Sequence, residues 1–224
     1  MRMPIVKDGW LVIIGALVVG GLIGAGCGLA GWCRAATWFY TAGVLVSAFM
    51  VYFFRDPDRT VPEDPNVFVA GADGLVRAVE TVREDRYLKT ETVRISVFLS
   101  PFNVHVNRAP MGGTVTDLAY TPGRHLLTLQ NAASEYNEHS SILIQGAKTR
   151  CLVKQIVGPI VRRVVYWLQL QQPLAKGERI GMMKFGSRLD MYFPASDVKV
   201  LVKKGDRVQA GVTVVARLAA DVNK

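Results

Sequence analysis

RDPDRTVPEDPN, residues 55–66, divides the sequence into two parts with different patterns. Its prolines exclude a regular helix or an inner strand there. Before it, apolar residues run almost without interruption, and after it short apolar–polar runs are separated by glycines. The sequence therefore predicts a connector at 55–66 between an N-terminal segment, 1–54, and a separate domain, 67–224.

The N-terminal segment contains two uncharged runs, residues 10–33 and 35–54, separated only by Arg34. Each run has about the ~20 apolar residues that a helix needs to cross a bilayer. The pattern predicts a hairpin of two apolar helices, transmembrane or membrane-embedded. A cleaved signal peptide or a buried hairpin of a soluble protein fits the pattern less well. A glycine at every fourth position from Gly20 to Gly28 predicts close approach of the second helix.

Basic residues around the two runs indicate an orientation. Two precede the first run, two follow the second, and one lies in the link: Arg2 and Lys7, Arg55 and Arg59, and Arg34. Lysine and arginine are enriched in cytoplasmic loops. The sequence therefore predicts that the domain lies on the cytoplasmic face of the cell (inner) membrane.

Charge and cysteine content limit the partners and cofactors. The chain carries a formal net charge of +9 at pH 7, and its basic residues are scattered, without a nucleic-acid module motif. A basic domain beside a membrane favours anionic lipid over nucleic acid as a partner. Cys27, Cys33 and Cys151 form no CxxC pair, which predicts neither a disulfide framework nor a zinc site.

The domain after the connector has the pattern of short strands. Val, Ile, Leu and Tyr alternate with polar residues, and only a short helix is indicated, near 131–138. This predicts a mainly β domain closed as a barrel or sandwich, with glycine at the turns of KGER and KGDR hairpins. LVKKGDRVQAGVTVVARL, residues 201–218, resembles the hammerhead strands of biotinyl and lipoyl carrier domains, which implies a barrel-sandwich-hybrid-like fold. Lys184, followed by Phe-Gly, fits a carrier's modified lysine poorly.

Three motifs indicate a functional site: AGADGLV around Asp73, FLSPFNVHVNRAPMGG around His105 and KFGSRLDMYFP around Ser187. Taken singly, Asp-Gly is typical of a turn, and one histidine in a β-run is more often structural. Together, LSPFNVHVNRAP and FGSR resemble the phosphatidylserine decarboxylase proenzymes, in particular their short bacterial form, over residues 50–224. Enzymes acting on archaeal-type phosphoserine lipids share these signatures, so that the lipid backbone of the substrate stays open.

The resemblance implies a pyruvoyl-dependent decarboxylase that converts phosphatidylserine to phosphatidylethanolamine and CO2 in phospholipid biosynthesis. It implies self-cleavage between Gly186 and Ser187, by attack of the serine hydroxyl on the glycine carbonyl, which no side chain shields. Ser187 would become the covalent pyruvoyl cofactor, which forms a Schiff base with the substrate, and no metal is implied. The products would be a β chain, 1–186, and an α chain, 187–224, that stay together as a heterodimer. A higher oligomer stays open.

The resemblance also assigns roles to individual side chains. His105 is the implied base in self-cleavage and the acid or base in turnover, because histidine ordinarily titrates near pH ~6.5, and Asp73 would orient it. Longer relatives have a second histidine where this chain has Arg108, so we expect His105 to serve both steps. Arg108 and Arg188 are candidates for binding the substrate carboxylate or phosphate, and each is equally well a structural strand residue.

The remaining polar candidates have weaker patterns. Asn107 and Asn137 have the same two interpretations as the arginines, and His125 and His139 are expected to be surface or packing residues. Two other functions stay open: a membrane-anchored barrel-sandwich adaptor or carrier, and a Ser-His-Asp hydrolase. The sequence lacks the GxSxG elbow of many hydrolases. The mass of the intact chain separates these functions, because an adaptor or hydrolase remains one polypeptide.

Overall fold

The computed structural model describes residues 4–126, 128, 133–158, 164–183 and 187–219. The chain divides into two units, Met1–Asp58 and Arg59–Lys224. The first is helical and the second is mainly β. The border between the units lies inside the stretch 55–66.

The described residues confirm a mainly β fold preceded by a helical hairpin. The helices are α1 (Lys7–Leu29), α2 (Cys33–Phe53) and α3 (Ala133–Tyr136). The strands are β1 (Val67–Val69), β2 (Gly74–Glu84), β3 (Thr90–Leu99), β4 (Val106–Arg108), β5 (Gly113–Thr121), β6 (His139–Gln145), β7 (Arg150–Ile156), β8 (Val164–Tyr166), β9 (Pro173–Leu174), β10 (Arg179–Met183), β11 (Ser187–Pro194), β12 (Val198–Val200), β13 (Arg207–Val208) and β14 (Val214–Leu218).

Glycines bring α1 and α2 into close contact. A Cβ atom on Gly20 would lie 2.8 Å from the Cα of Gly43, and one on Gly24 would lie 2.7 Å from the Tyr40 ring. Larger residues at these positions would force the helices apart. Both helices are long and apolar enough to cross a membrane, with mean hydropathies of 2.3 and 1.4. The predicted close approach of the two helices is confirmed.

The β unit is built around a curled, antiparallel eight-stranded sheet of half-barrel form, in the order β13-β2-β3-β11-β7-β6-β5-β9. Among the described residues, two three-stranded sheets accompany it, in the orders β1-β14-β12 and β4-β10-β8. Strand β11 lies in the middle of the large sheet, paired with β3 on one side and β7 on the other. The chain after residue 186 therefore supplies a central strand of that sheet and the central strand of one small sheet.

The eight-stranded sheet has two chemically different faces, because successive side chains of a strand point to opposite sides. Its core face carries the main hydrophobic cluster, including Val97 of β3, Val153 of β7, and Leu189 and Met191 of β11. The opposite face carries the intervening residues. On β11 these are Arg188, Asp190 and Tyr192, all buried.

The KGER and KGDR motifs form turns, although neither joins a hairpin. Gly177 and Gly205 adopt the positive φ angles of 78° and 100° that glycine tolerates at a turn. The first turn leads from β9 of the eight-stranded sheet to β10 of a small sheet, and the second leads from β12 of the other small sheet to β13 of the large one. The turn chemistry was predicted correctly and the hairpins were not, because strand pairing depends on distant partners.

Candidate active site

Ser187 is the first residue of β11, where it pairs with Leu99 at the end of β3. Strand alternation puts its side chain on the core face with Leu189. Ser187 is fully buried, and its hydroxyl has no hydrogen-bond partner among the residues that the structure describes. Gly186, the other half of the predicted cleavage site, lies outside the described residues.

His105 lies just before β4 and is fully buried. The chain leaves β3 at Leu99 and turns, with the amide of Asn103 donating to the carbonyl of Ser100 at 2.9 Å. His105 Nδ1 is 2.9 Å from the carbonyl oxygen of Asn103. A carbonyl oxygen only accepts, so Nδ1 carries the proton and Nε2 is the basic nitrogen of the neutral ring.

Strand pairing directs His105 toward the interior that contains Ser187. The amide of Met183 in β10 donates to the carbonyl of His105 at 3.4 Å. Met183 lies four residues before Ser187 in the sequence. A Cβ atom built on Gly181, two residues before Met183, would lie 3.1 Å from Gln155 Nε2. This side of β10 therefore faces the core side of β7. Side chains two residues apart on a strand lie on the same side, so Met183 and His105, which lies opposite it, also face β7. The histidine and the serine thus enter the same interior from two facing sheets.

Asp73 lies at the start of β2, close to the end of β3. A Cβ on Gly74 would lie 2.0 Å from the carbonyl oxygen of Phe98, so only glycine permits this approach. Asp73 Oδ1 accepts a hydrogen bond from the amide of Ala210 at 2.7 Å, and Oδ2 accepts one from Arg59 at 2.8 Å. These contacts fix the carboxylate from two sides, and the orientation of His105 by Asp73 stays a prediction.

A pocket of about 400 Å³ opens beside the turn that leads to His105. Its wall includes Asp73, Ser100 and Asn103, together with Arg207 and Gln209 from the last third of the chain. Asn103 connects this pocket to the buried histidine, because its carbonyl is the partner of His105 Nδ1. The pocket therefore lies beside the turn that carries His105.

The two arginine candidates are bonded within the protein. Arg108 donates to the carbonyl of Gly177 at 3.1 Å, and alternation puts it on the other side of β4 from His105. Arg188 is 1% exposed and lies on the opposite face of β11, where it donates to Asp190 and to Ser96, each at 2.7 Å. A substrate-binding role for either arginine stays a prediction.

The other histidines pack away from Ser187. His125 Nε2 is 3.0 Å from a carboxylate oxygen of Glu138. His139 is buried, its Nδ1 lies 2.7 Å from the carbonyl oxygen of Asn137, and burial lowers the pKa of its ring. Asn137 itself bonds Leu126 and Val157. These contacts agree with packing roles for both histidines.

Sequence reasoning missed three polar residues at the site: Arg59, Gln155 and Ser140. Arg59 was counted as a membrane-orienting charge, whereas it binds Asp73. Gln155 and Ser140 lie in apolar runs, where they are fully buried on the core face. A detectable signal existed for Gln155, because it continues the alternating core series of Cys151 and Val153 with a polar side chain.

Across the described part of the chain, no three His, Cys, Asp or Glu side chains lie close enough together to hold a metal ion. The three cysteines are unpaired, and Cys151 is buried in the core, which raises the pKa of its thiol. The site instead combines a buried hydroxyl with a buried histidine behind an open pocket.

Comparison with known sequences identifies the family. The profile of the family described as "Phosphatidylserine decarboxylase" matches residues 46–216. A protein named phosphatidylserine decarboxylase proenzyme from Carboxydothermus hydrogenoformans is 42% identical over 223 residues, 97% of this chain and 99% of its own length. Proteins of the same name from Desulfotalea psychrophila and Symbiobacterium thermophilum are 37% and 38% identical, over 83% and 97% of this chain and 86% and 98% of their own lengths. This chain belongs to the phosphatidylserine decarboxylase family, and it is a decarboxylase, that is, a carboxy-lyase.

Proposed function

We propose that this chain is a proenzyme that cleaves itself between Gly186 and Ser187 and then decarboxylates phosphatidylserine to phosphatidylethanolamine. The observation that carries this proposal is the Ser187 hydroxyl, which is buried on the core face without a hydrogen-bond partner among the described residues. Such a group is costly to bury, so its presence favours a chemical role. The word "proenzyme" in the names of the relatives supports the same interpretation.

The proposed cleavage begins when Ser187 Oγ loses its proton to a base and bonds to the carbonyl carbon of Gly186. The carbonyl electrons move to oxygen and return as the C–N bond breaks, and the Ser187 nitrogen takes up a proton, which leaves an ester. A base then removes the Ser187 Cα proton, and the Cβ–O bond breaks to release the Gly186 carboxylate. The dehydroalanine tautomerises to an imine, and water displaces its nitrogen as ammonia, leaving a ketone.

His105 is the proposed base, because its Nε2 is the basic nitrogen once Nδ1 faces the Asn103 carbonyl. The site fits a pyruvoyl group made from Ser187, because the orphaned hydroxyl is the buried polar atom that the conversion consumes. When present, that group supplies a carbonyl that draws electrons as the substrate carboxylate leaves as CO2.

The pocket beside Asn103 is the proposed entrance for the phosphoserine head group. Arg207 lines it with an exposed side chain suited to a phosphate or carboxylate. We expect Arg207→Ala to raise KM for phosphatidylserine about tenfold with little change in kcat, because it removes a binding contact remote from the reacting carbon. Steady-state kinetics on vesicles measures both constants, and an unchanged KM contradicts this role.

The proposed domains are a membrane hairpin at 1–54, a connector at 55–66 and a catalytic domain at 67–224. Cleavage would yield chains 1–186 and 187–224, which the strand order keeps together, because β11 pairs with both β3 and β7. The apolar helices support membrane attachment. The basic residues that flank them favour a catalytic domain on the cytoplasmic face.

Intact-mass measurement of the purified protein tests the proposal. The wild-type chain should appear as two polypeptides, the smaller without a free amino terminus, and Ser187→Ala should remain whole and release no CO2. Ser141→Ala is the matched control, because Ser141 is also buried without a partner among the described residues but lies on the opposite face. A wild-type enzyme that is active as one uncut chain contradicts the proposal.

Three substrates are compared to identify the lipid backbone that the enzyme accepts. Vesicles containing phosphatidylserine, vesicles containing an archaeal-type phosphoserine lipid, and soluble phosphoserine are compared by CO2 release. We expect release from phosphatidylserine, as the names of the relatives imply. Release from the archaeal-type lipid alone would assign the activity to that substrate instead.

A further inference from the structure

The outer surface of the hairpin formed by α1 and α2 is almost entirely apolar. Helix α1 buries four of its 23 residues and α2 buries four of its 21. Asp8 is the last charged residue of α1, and no Ser, Thr, Asn, Gln or His follows it in the helix. Its exposed apolar side chains surround the helix except on the side of the buried glycines, and they include Trp10, Leu11, Val12, Ile14, Leu17, Val18, Val19, Leu22 and Ile23.

This pattern separates two ways of attaching to a bilayer. A helix that lies in the plane of the interface has a polar face toward water, and α1 has no polar face. A re-entrant segment is shorter, with about 10–14 apolar residues. With 23 and 21 residues, α1 and α2 are roughly 34 and 31 Å long at 1.5 Å per residue. These lengths match a hydrocarbon core of about 30 Å.

Two hydroxyl groups of α2 are bonded within the hairpin. Ser47 is buried and donates to the carbonyl of Ile13 at 3.1 Å, from one helix to the other. Thr37 donates to the carbonyl of Cys33, one turn earlier, also at 3.1 Å. Hydrocarbon offers a hydroxyl no partner, so the protein has to supply one at membrane depth. The two bonds meet this requirement for both side chains.

Cationic and aromatic residues lie at both ends of the hairpin. At the end nearest the connector, the Arg55 guanidinium lies 3.7 Å from the centre of the Tyr52 ring. At the other end, Arg34, Trp32 and Trp38 are exposed. Tryptophan and tyrosine are enriched at both interfaces between a membrane and water. The hairpin therefore has residues suited to an interface at each end.

A pocket of about 380 Å³ lies beside Arg34 on α2. It is lined by Arg34, Thr37, Trp38 and Thr41, which share one side of the helix by their spacing. A guanidinium suits the phosphate of a lipid head group, and an indole suits the boundary between head group and hydrocarbon. Arg34 is also the only charged residue between Asp8 and Arg55. A charge there is costly unless it reaches a polar surface.

We propose that α1 and α2 cross the whole bilayer and that Arg34 and Trp38 contact the lipid head groups of the far leaflet. The far leaflet is the one away from the end of the hairpin that joins the connector. This inference goes beyond the proposed function, because attachment to the near leaflet alone would give the enzyme access to a lipid there. It puts the link between the two helices in contact with water on the far side of the membrane.

Thiol labelling tests whether the hairpin crosses the bilayer. Cys33 is exposed at the start of α2, and a full-length chain with Cys27→Ser and Cys151→Ala retains it as the single thiol. A matched chain also carries Cys33→Ser and Ser196→Cys, which moves the thiol to an exposed turn after β11. Both chains carry Ser187→Ala, so that the readout is the mass of one uncut chain and is independent of the proposed cleavage.

Sealed spheroplasts are treated with maleimide–polyethylene glycol, which is uncharged and too large and polar to cross a membrane. We expect the two thiols to react from opposite sides, with a difference in extent of at least about tenfold. The basic residues predict that Cys33 reacts in sealed spheroplasts and the Ser196→Cys chain only after the membranes are opened. Reaction of both thiols from the same side overturns the proposal. Failure of the wild-type chain to split or to release CO2 would contradict the proposed function alone.

A third chain tests the depth of the helices. Cys33→Ser combined with Val19→Cys puts the single thiol halfway along α1, at a side chain that is 56% exposed. Because hydrocarbon surrounds this position in a spanning hairpin, we expect no reaction from either side, even in opened membranes, and full reaction in denaturant. Reaction in opened membranes at the rate of Cys33 overturns the proposal.

Variants of Arg34 test the contact with the far head groups. The probe is Ala30→Cys, an exposed position in the link, in a chain without the three native cysteines. In Arg34→Leu no cation holds the link at the surface, so labelling should slow about tenfold as the link moves toward hydrocarbon. Arg34→Lys is the conservative control and should label at the parent rate. Equal rates in denaturant check that the thiol itself is unchanged, and an equal rate of Arg34→Leu in membranes contradicts the contact.

Discussion

The polar side chains on the two faces of β11 differ in their hydrogen bonding. On the opposite face, Arg188 and Asp190 form an ion pair that Ser96 and Ser134 extend by further hydrogen bonds of 2.7 Å. On the core face, the hydroxyl of Ser187 is left without a partner among the described residues. Satisfied polar groups hold a structure together, whereas an unsatisfied one in an apolar core favours a chemical role. Adjacent residues of one strand are thus predicted to have separate tasks.

Ser187→Ala should give the largest functional effect and almost no structural one. Splitting should be abolished, because the nucleophile is absent. The free energy of unfolding should change by less than about 1 kcal/mol, because no hydrogen bond is lost with this hydroxyl. Denaturant titration against the wild-type proenzyme, collected before it splits, measures the stability. A loss above 2 kcal/mol would show a structural role for Ser187 and weaken the contrast between the faces.

Asp190→Ala should give the largest loss of stability. It leaves the Arg188 guanidinium, 1% exposed, without its carboxylate, and breaking a buried pair from one side costs about 3–5 kcal/mol. The double variant Arg188→Met, Asp190→Leu should recover much of that loss, because it removes both charges. Melting curves in a Ser187→Ala background measure this. Equal losses in the single and double variants would contradict the ion-pair explanation.

Ser134→Ala should have a smaller effect on the same face. It removes one hydrogen bond to the carboxyl group that pairs with Arg188, for which about 1.5–3 kcal/mol is expected. Ser141→Ala on that face removes no bond between described residues and should cost under about 1 kcal/mol. Denaturant midpoints of the two variants separate them. Similar midpoints would mean that Ser134 does not fasten α3 to the sheet.

The smallest expected effect is a pH dependence on the opposite face, at His139. Burial lowers the pKa of its ring in the folded protein, against the raising influence of the Asn137 carbonyl. The unfolded chain therefore binds a proton first as the pH falls below about 6.5, and stability should decrease from there until the folded ring titrates. Asp190 and Lys154 also act on this ring, with opposite signs.

Replacing His139 by glutamine should remove that part of the pH dependence. Melting temperatures at pH 7.5 and 5.5, in the Ser187→Ala background, provide the comparison. His125→Gln is the matched control, because His125 is only half-buried beside Glu138, whereas burial lowers the pKa of the His139 ring. An equal acid shift with and without His139 would assign the dependence to other groups.

The sequence predicted the parts of the fold that depend on local pattern. The two uncharged runs form α1 and α2, and the glycines at 20 and 24 lie at the contact between them. The short helix predicted near 131–138 is α3, at Ala133–Tyr136. The KGER and KGDR turns were also local, since each needs a glycine with positive φ. Strand partners were not predictable, because they join residues far apart in the chain.

The candidate site shows the same limit. The motifs predicted His105 and Ser187 as site residues, and both are fully buried in the structure. The contacts of Asp73 with Arg59 and Ala210, and the bond of Gln155 to Asn107, link residues separated by 14, 137 and 48 positions. No local pattern in the sequence encodes such pairs. The alternation of β11 could nevertheless have predicted that Arg188 faces away from Ser187.

Cleavage in front of β11, a central strand of the sheet, would make folding of this protein a one-way event. If the chain is cut in front of that strand, the ketone is created once, inside a structure that the uncut polypeptide assembled. A molecule that later unfolds would release two separate chains, and regaining activity would require them to meet again in solution. Heat inactivation of the mature enzyme should therefore depend on dilution, whereas an uncut variant should recover alone. The lifetime of the enzyme is then set by how rarely β11 leaves its two neighbours.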